Sequence, residues 1–164
     1  QACVGSVVKF KAEGGSIVKA DKAPAGKPGI KLSRPFHGVV NEFFAENAER
    51  CYPELGCLGG DLNDGCICRQ PMFQVDGWGR IFIPNALTCS VRIVDNEGNL
   101  IQKLGSYGNI DSRGGTEGKG PKIPLAWPQA VATSEKAIYI SDVANRRIVR
   151  LLKKYAAEET CEIK

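Results

Sequence analysis

Residues 136–142 read Lys136-Ala137-Ile138-Tyr139-Ile140-Ser141-Asp142, and residues 79–85 read Gly79-Arg80-Ile81-Phe82-Ile83-Pro84-Asn85. Laid over one another they match as a polar turn, an Ile-aromatic-Ile strand and a closing Asp or Asn. The same offset, without a gap, lays Val91-Arg92-Ile93-Val94 over Ile148-Val149-Arg150-Leu151 and Pro71 over Pro128. Self-similarity at a fixed period is the mark of a repeat architecture. Each copy is therefore a proline, a short run, a polar turn, a first strand, an Asn/Asp link and a second apolar strand.

A shorter copy stands at the start, where Ser6-Val7-Val8-Lys9-Phe10, Glu13-Gly14 and Ile17-Val18 match Ser90–Val94, Glu97-Gly98 and Ile101-Gln102. Glu-Gly between two strands reads as a hairpin turn, with glycine supplying the positive φ. Strands are predicted near 5–10, 16–20, 72–76, 80–84, 90–95, 99–104, 129–133, 137–141, 147–153 and 160–163. Short strands at regular spacing with glycine-containing turns make an all-β fold. In ANRRIVRLLKKYAAEE, helical spacing of Ala144, Ile148, Leu151, Leu152 and Tyr155 competes with the match to Val91–Val94; the repeat register decides for a strand. A short helix is predicted at NEFFAENAER, residues 41–50.

Ile138-Tyr139-Ile140-Ser141-Asp142-Val143-Ala144-Asn145-Arg146-Arg147-Ile148-Val149 resembles the core of an NHL repeat, with Asp142, Asn145 and Arg147 as its motif residues. The copy at 80–104 is similar but degenerate, with Asn85 for the Asp and Thr88 and Cys89 for Asn and Arg. The resemblance implies β-propeller blades of four antiparallel strands. It divides the chain into closing strands of a partial blade (1–20), a Cys-rich insertion with a short helix (21–70), a blade (71–104), a Gly-rich loop (105–127) and a second blade (128–164). A propeller needs about 4–8 blades, so the ring is incomplete. Beginning mid-blade at Gln1, the 164 residues read as a fragment or subunit completed by the remaining blades or by a partner chain. Trp78, Phe82, Trp127 and Tyr139 are expected to pack between blades.

Seven cysteines, Cys3, Cys51, Cys57, Cys66, Cys68, Cys89 and Cys161, are heavy usage for this length. Four of them fall within CYPELGCLGGDLNDGCIC. Their spacing does not form the paired Cys-x2–4-Cys knuckles of structural zinc. Disulfides stapling an irregular loop, and hence a secreted, periplasmic or extracellular location, are the better fit. A net charge of +4 does not by itself argue for nucleic acid, and no apolar run is long enough to span a membrane. Arg146, Arg147, Arg150, Lys153 and Lys154 form a basic stretch, but alternate strand residues face opposite sides, so they make no single patch. Nucleic acid is not an expected partner.

The single imidazole, His37, excludes any multi-His metal site built by this chain alone. It is weighed as a base, metal ligand or pH sensor against an ordinary packed residue. Asp61-Leu62-Asn63-Asp64-Gly65 is one residue short of a calcium loop and lacks its distal Glu, so an Asx turn competes with calcium as its reading. Asp142 could ligate a cation at a channel mouth; the simpler role is accepting turn N–H bonds with Arg147 paired to it. No nucleophile–base set and no phosphate loop is present. The expectation is an exported, non-enzymatic propeller segment serving as a protein-interaction or structural module. The alternatives are a fragment of a metal-dependent propeller lactonase or lyase, implied by the resemblance, and a scaffold subunit of an extracellular redox assembly.

Overall fold

The computed structural model describes residues 3–23, 25–26, 28–36, 39–57, 71–109 and 121–154. Its strands are β1 (Cys3–Phe10), β2 (Ser16–Lys19), β3 (Gly29–Phe36), β4 (Val39–Glu46), β5 (Ala48–Cys57), β6 (Gln74–Val75) and β7 (Ile81–Asn85). They continue as β8 (Ser90–Val94), β9 (Leu100–Leu104), β10 (Ser106–Tyr107), β11 (Pro124–Leu125), β12 (Pro128–Thr133), β13 (Ala137–Asp142) and β14 (Arg147–Leu152). The fold is all-β; among the described residues the one helical element is a 3-10 turn at Ala20–Lys22.

Each long copy of the repeat becomes an antiparallel meander. In the first, β6, β7, β8 and β9 pair in succession. In the second, β12, β13 and β14 do the same. The strand expected at 160–163 lies outside the described residues. The segment ANRRIVRLL forms a tight turn and β14, as the repeat register required. Even the turns correspond: the Cys89 N–H bonds to the Ala86 carbonyl and the Arg146 N–H to the Val143 carbonyl. Cys89 and Arg146 both hold left-handed backbone, at φ 49° and 50°.

The sheets stack through apolar faces, because strand side chains alternate between the two sides. Every residue of β7 is buried. Phe82 faces one way, joining Val91, Ile93 and Leu104 against Val131, Ile138 and Ile140 of the second meander. Ile81 and Ile83 face the other way, packing with Val94 against Val7 and Tyr52 of a ribbon formed by β1 and β5. That ribbon touches the first meander edge-on where Gly56 meets Asn85. A Cβ at Gly56 would fall 2.1 Å from the Asn85 Oδ1, so only glycine permits this approach.

Three expectations are corrected. The Glu13-Gly14 turn forms, with Gly14 at φ 84°, but its flanking strands are not a hairpin: β1 pairs with β5 and β2 with β4. The helix expected in 41–50 is instead the end of β4 and the start of β5. Asn47 sits between them at φ 59°, a conformation no helix interior accommodates. The 21–70 segment is therefore not a loop throughout; β4 bonds on both sides, to β2 and β3. Finally, of the aromatics expected between blades, Phe82 is buried between the two meanders, whereas Trp78 is 84% exposed at the tip of the β6–β7 turn; Tyr139 lies on the outer face of the second meander.

Burial separates two isoleucines of the second meander: Ile140 is fully buried and Ile148 is 73% exposed. Ile140→Ala is expected to lower unfolding free energy by about 2–5 kcal/mol in urea titration, whereas Ile148→Ala should stay within about 0.5 kcal/mol. Equal losses would refute this assignment of core and surface.

Candidate functional site

Asp142 closes β13, and its side chain is completely buried. Its Oδ1 accepts the backbone N–H groups of Ala126 (3.0 Å) and Trp127 (2.9 Å). Its Oδ2 accepts Asn145 Nδ2 (2.6 Å) and Arg147 Nε (3.2 Å). Asn145 also donates to the Gly108 carbonyl at 3.0 Å, and the Arg147 guanidinium to the Pro124 carbonyl. The three motif residues thus converge as one network that ties the β13–β14 turn to both ends of the Gly-rich segment. Parallel pairing of β10 with β11 closes the same segment. Both carboxylate oxygens are already shared among donors, so the arrangement positions chain rather than presenting an open ligand.

The first copy carries an uncharged counterpart. Asn85 Oδ1 accepts the N–H groups of Leu87 (3.0 Å) and Thr88 (3.3 Å). Thr88 Oγ1 lies 2.8 Å from Ser90 Oγ; at the constant offset these match Asn145 and Arg147, so Ser90 rather than Cys89 stands in the place of the motif Arg. Cys89 beside them is buried, with Sγ near the Ala86 and Ala126 carbonyls. Burial, then the nearby Asp142 carboxylate, pushes its thiol pKa up. It is a packed thiol rather than a reactive one.

Two further carboxylates organise hairpin turns that share the pattern Asp-x-x-Gly-x. Asp76 Oδ1 accepts the Trp78 and Arg80 N–H groups, and Asp95 Oδ1 those of Glu97 and Asn99. Gly79 and Gly98 supply the positive φ in each. Both turns stand where the sequence places them, the polar turn before β7 and Glu97-Gly98 before β9, and the shared aspartate is what organises each. Asp76 is also paired with Arg80 at 2.6 Å, and Lys153 reaches it at 3.9 Å from the end of β14. Burial opposes ionisation of Asp76, but the hydrogen bonds from Arg80 and Trp78 outweigh it and lower its pKa. For Asp95, the Asn99 side chain leads the same downward shift.

Of the cysteines, Cys51 and Cys89 are free thiols. This corrects their place among the disulfide candidates: β1 puts Val8 opposite Cys51, and Cys89 is enclosed in the turn before β8. The backbones of Cys3 and Cys57 stand opposite each other at the end of the β1–β5 ladder. Cys66, Cys68, Cys161, His37, Asp61, Asn63 and Asp64 lie outside the described residues, and so does any calcium site they would form. Among the described residues no group of three His, Cys, Asp or Glu side chains could hold a metal ion. No helix among them is long and apolar enough to cross a membrane.

The cleft beside Arg50, Tyr52, Arg92 and Glu97 encloses about 170 Å³, below the ~300 Å³ of ordinary ligand sites. Its cations are already engaged: Arg50 with the Glu97 carbonyl and carboxylate, Arg92 with Glu54 at 2.9 Å. The basic stretch is likewise dispersed. Arg147 turns to Asp142, Lys153 lies over the Phe82 ring at 5.5 Å, and Arg150 faces solvent.

A second, more open cleft of about 440 Å³ is lined by Ala20, Asp21, Ala23, Lys31, Glu42 and Phe44, and its cation Lys31 is paired with Glu42 at 2.8 Å. Apart from these clefts, one surface stands out. β14 exposes Ile148, Arg150 and Leu152 in alternation. Tyr139 stands directly opposite Arg150, and Ala132 opposite Tyr139. Tyr139, Ile148 and Leu152 are 37%, 73% and 62% exposed. This is the face of the second meander turned away from the first. In comparisons with known proteins, no family model and no curated sequence matches the chain.

Losing the Asp142 carboxylate leaves Arg147 and two N–H groups without their acceptor. Asp142→Ala is therefore expected to cost about 3–5 kcal/mol in chemical unfolding; a loss under about 1 kcal/mol would show that the network does not hold the turn. Acid gives a second expectation. A carboxylate whose pKa is lowered by folding stabilises above its unfolded value, about 3.9, and loses that contribution as pH falls through the folded value. The urea midpoint should accordingly drop as pH is lowered below about 4, less steeply in Asp76→Asn than in the wild type. Identical slopes would contradict the role given to Asp76.

Proposed function

We propose that the chain is an exported segment of an NHL-like β-propeller, acting as a protein-interaction or structural module within a larger chain or assembly. The observation that carries this reading is the outward face of β12–β14. A sheet that packs Val131, Ile138 and Ile140 inward and offers Tyr139, Ile148 and Leu152 outward has apolar residues on both sides. Sheets exposed to water on one side normally alternate apolar-in with polar-out. Two-sided apolar strands are what a stack of blades requires, since each repeat buries its face only against its neighbours. The successive antiparallel meanders joined by matching turns favour the same architecture. The occupant is a further β-sheet presenting an apolar face, from the remaining blades or from a partner chain.

The test is site-specific photo-crosslinking in the purified native assembly, with a benzophenone amino acid replacing Arg150. The expected product joins position 150 to one defined strand of alternating apolar pattern. A probe that reacts only with water in the intact assembly would overturn the proposal.

A further inference from the structure

The register of β1 on β5 opposes Cys3 to Cys57, Val4 to Gly56 and Gly5 to Leu55. Directly opposed residues of antiparallel strands hold their Cα atoms about 4.5–5.5 Å apart. They also share one face of the sheet. Disulfides bridge Cα separations of about 4.4–6.8 Å. Neither of the other cysteines among the described residues has a cysteine across from it: Cys51 faces Val8, and Cys89 lies in the turn before β8. From this juxtaposition we propose that Cys3 and Cys57 form a cross-strand disulfide locking β1 to β5.

The bond is placed where it matters for the stack. Gly56, the neighbour of Cys57, abuts Asn85 of β7, and this contact joins the β1–β5 ribbon to the first repeat sheet. Fraying of the ladder end would release that contact; a covalent tie at Cys3 holds it. The tie also anchors one end of the segment carrying Cys66 and Cys68. Formation is a thiol–disulfide exchange. One thiolate attacks a sulfur of a disulfide-bearing oxidant, and the second displaces that oxidant from the mixed disulfide. The two cysteines lose two protons and two electrons, and the two sulfurs of the oxidant's disulfide leave as thiols, one at each attack.

The inference does not rest on the propeller reading, and its test is separate. The full chain is equilibrated in a glutathione redox buffer, alkylated, and cleaved after acidic residues without reduction. This cleavage releases Gln1–Glu13 with Cys3 and Leu55–Asp61 with Cys57 as its only cysteine. The expected result is a single linked species of these two peptides, lost on reduction. Linkage of Cys57 to Cys66, Cys68 or Cys161, or recovery of both peptides alkylated, would overturn the proposal. Variants give a second readout. Cys3→Ser and Cys57→Ser should each lower Tm by about 10 °C under oxidising conditions, the double variant should lose no more than either, and the difference should vanish in reductant. Losses that persist in reductant would refute the bond.

Discussion

The structure depends on one packing constraint: Phe82, Val91 and Ile93 of the first repeat sheet must meet Val131, Ile138 and Ile140 of the second. At about 25 cal/mol per Å² of apolar surface, burial is the main stabilising term available to short strands of this kind. An isolated meander of three or four strands could satisfy its backbone but would leave an apolar face in water. The molecule answers by layering. The β1–β5 ribbon covers Ile81 and Ile83, the first meander covers the second, and Lys153 binds the two repeats with its side chain between Asp76 and Phe82. Layering of this kind always moves the exposed face outward by one sheet, which is why Tyr139, Ile148 and Leu152 become the informative residues.

The two repeats solve the same turn with different chemistry. Both use a left-handed residue at the fourth turn position, Cys89 or Arg146, so the backbone path is common. Asn85, Thr88 and Ser90 fasten it with neutral bonds confined to the turn. Asp142, Asn145 and Arg147 fasten it with a buried ion pair that also reaches the chain at 108 and at 124–127. A buried carboxylate is tolerated only when its hydrogen-bonding capacity is filled, and here four donors fill it. The second repeat spends that charge to hold the two ends of the Gly-rich segment together.

The repeat was legible because its apolar positions alternate and its turns recur at a constant offset; β7, β8, β13 and β14 fall where the sequence places them. The Asp142 network was legible in its members but not in its reach, since the backbone N–H donors of Ala126 and Trp127 and the accepting carbonyl of Gly108 carry no side-chain signature. The β3–β5 region was not legible. Glu42, Glu46, Glu49 and Arg50 are good helix formers, and only pairing of β4 on both edges overrides that preference. A bulge adds to the difficulty: the register shifts between Gly5 and Ser6, leaving Glu54 extra at φ 73° and aimed at Arg92. Tertiary pairing and bulge geometry leave no local pattern in a single chain.

The central claim is that the two repeat sheets stand as one cooperative unit through their shared face. Native-state hydrogen exchange tests it most directly, by comparing the amides of Ile93 in β8 and Ile140 in β13. The account predicts that both exchange with the same opening free energy and that Phe82→Ala lowers both together. An Ile140 amide that opens far more easily, and does not respond to Phe82→Ala, would contradict it.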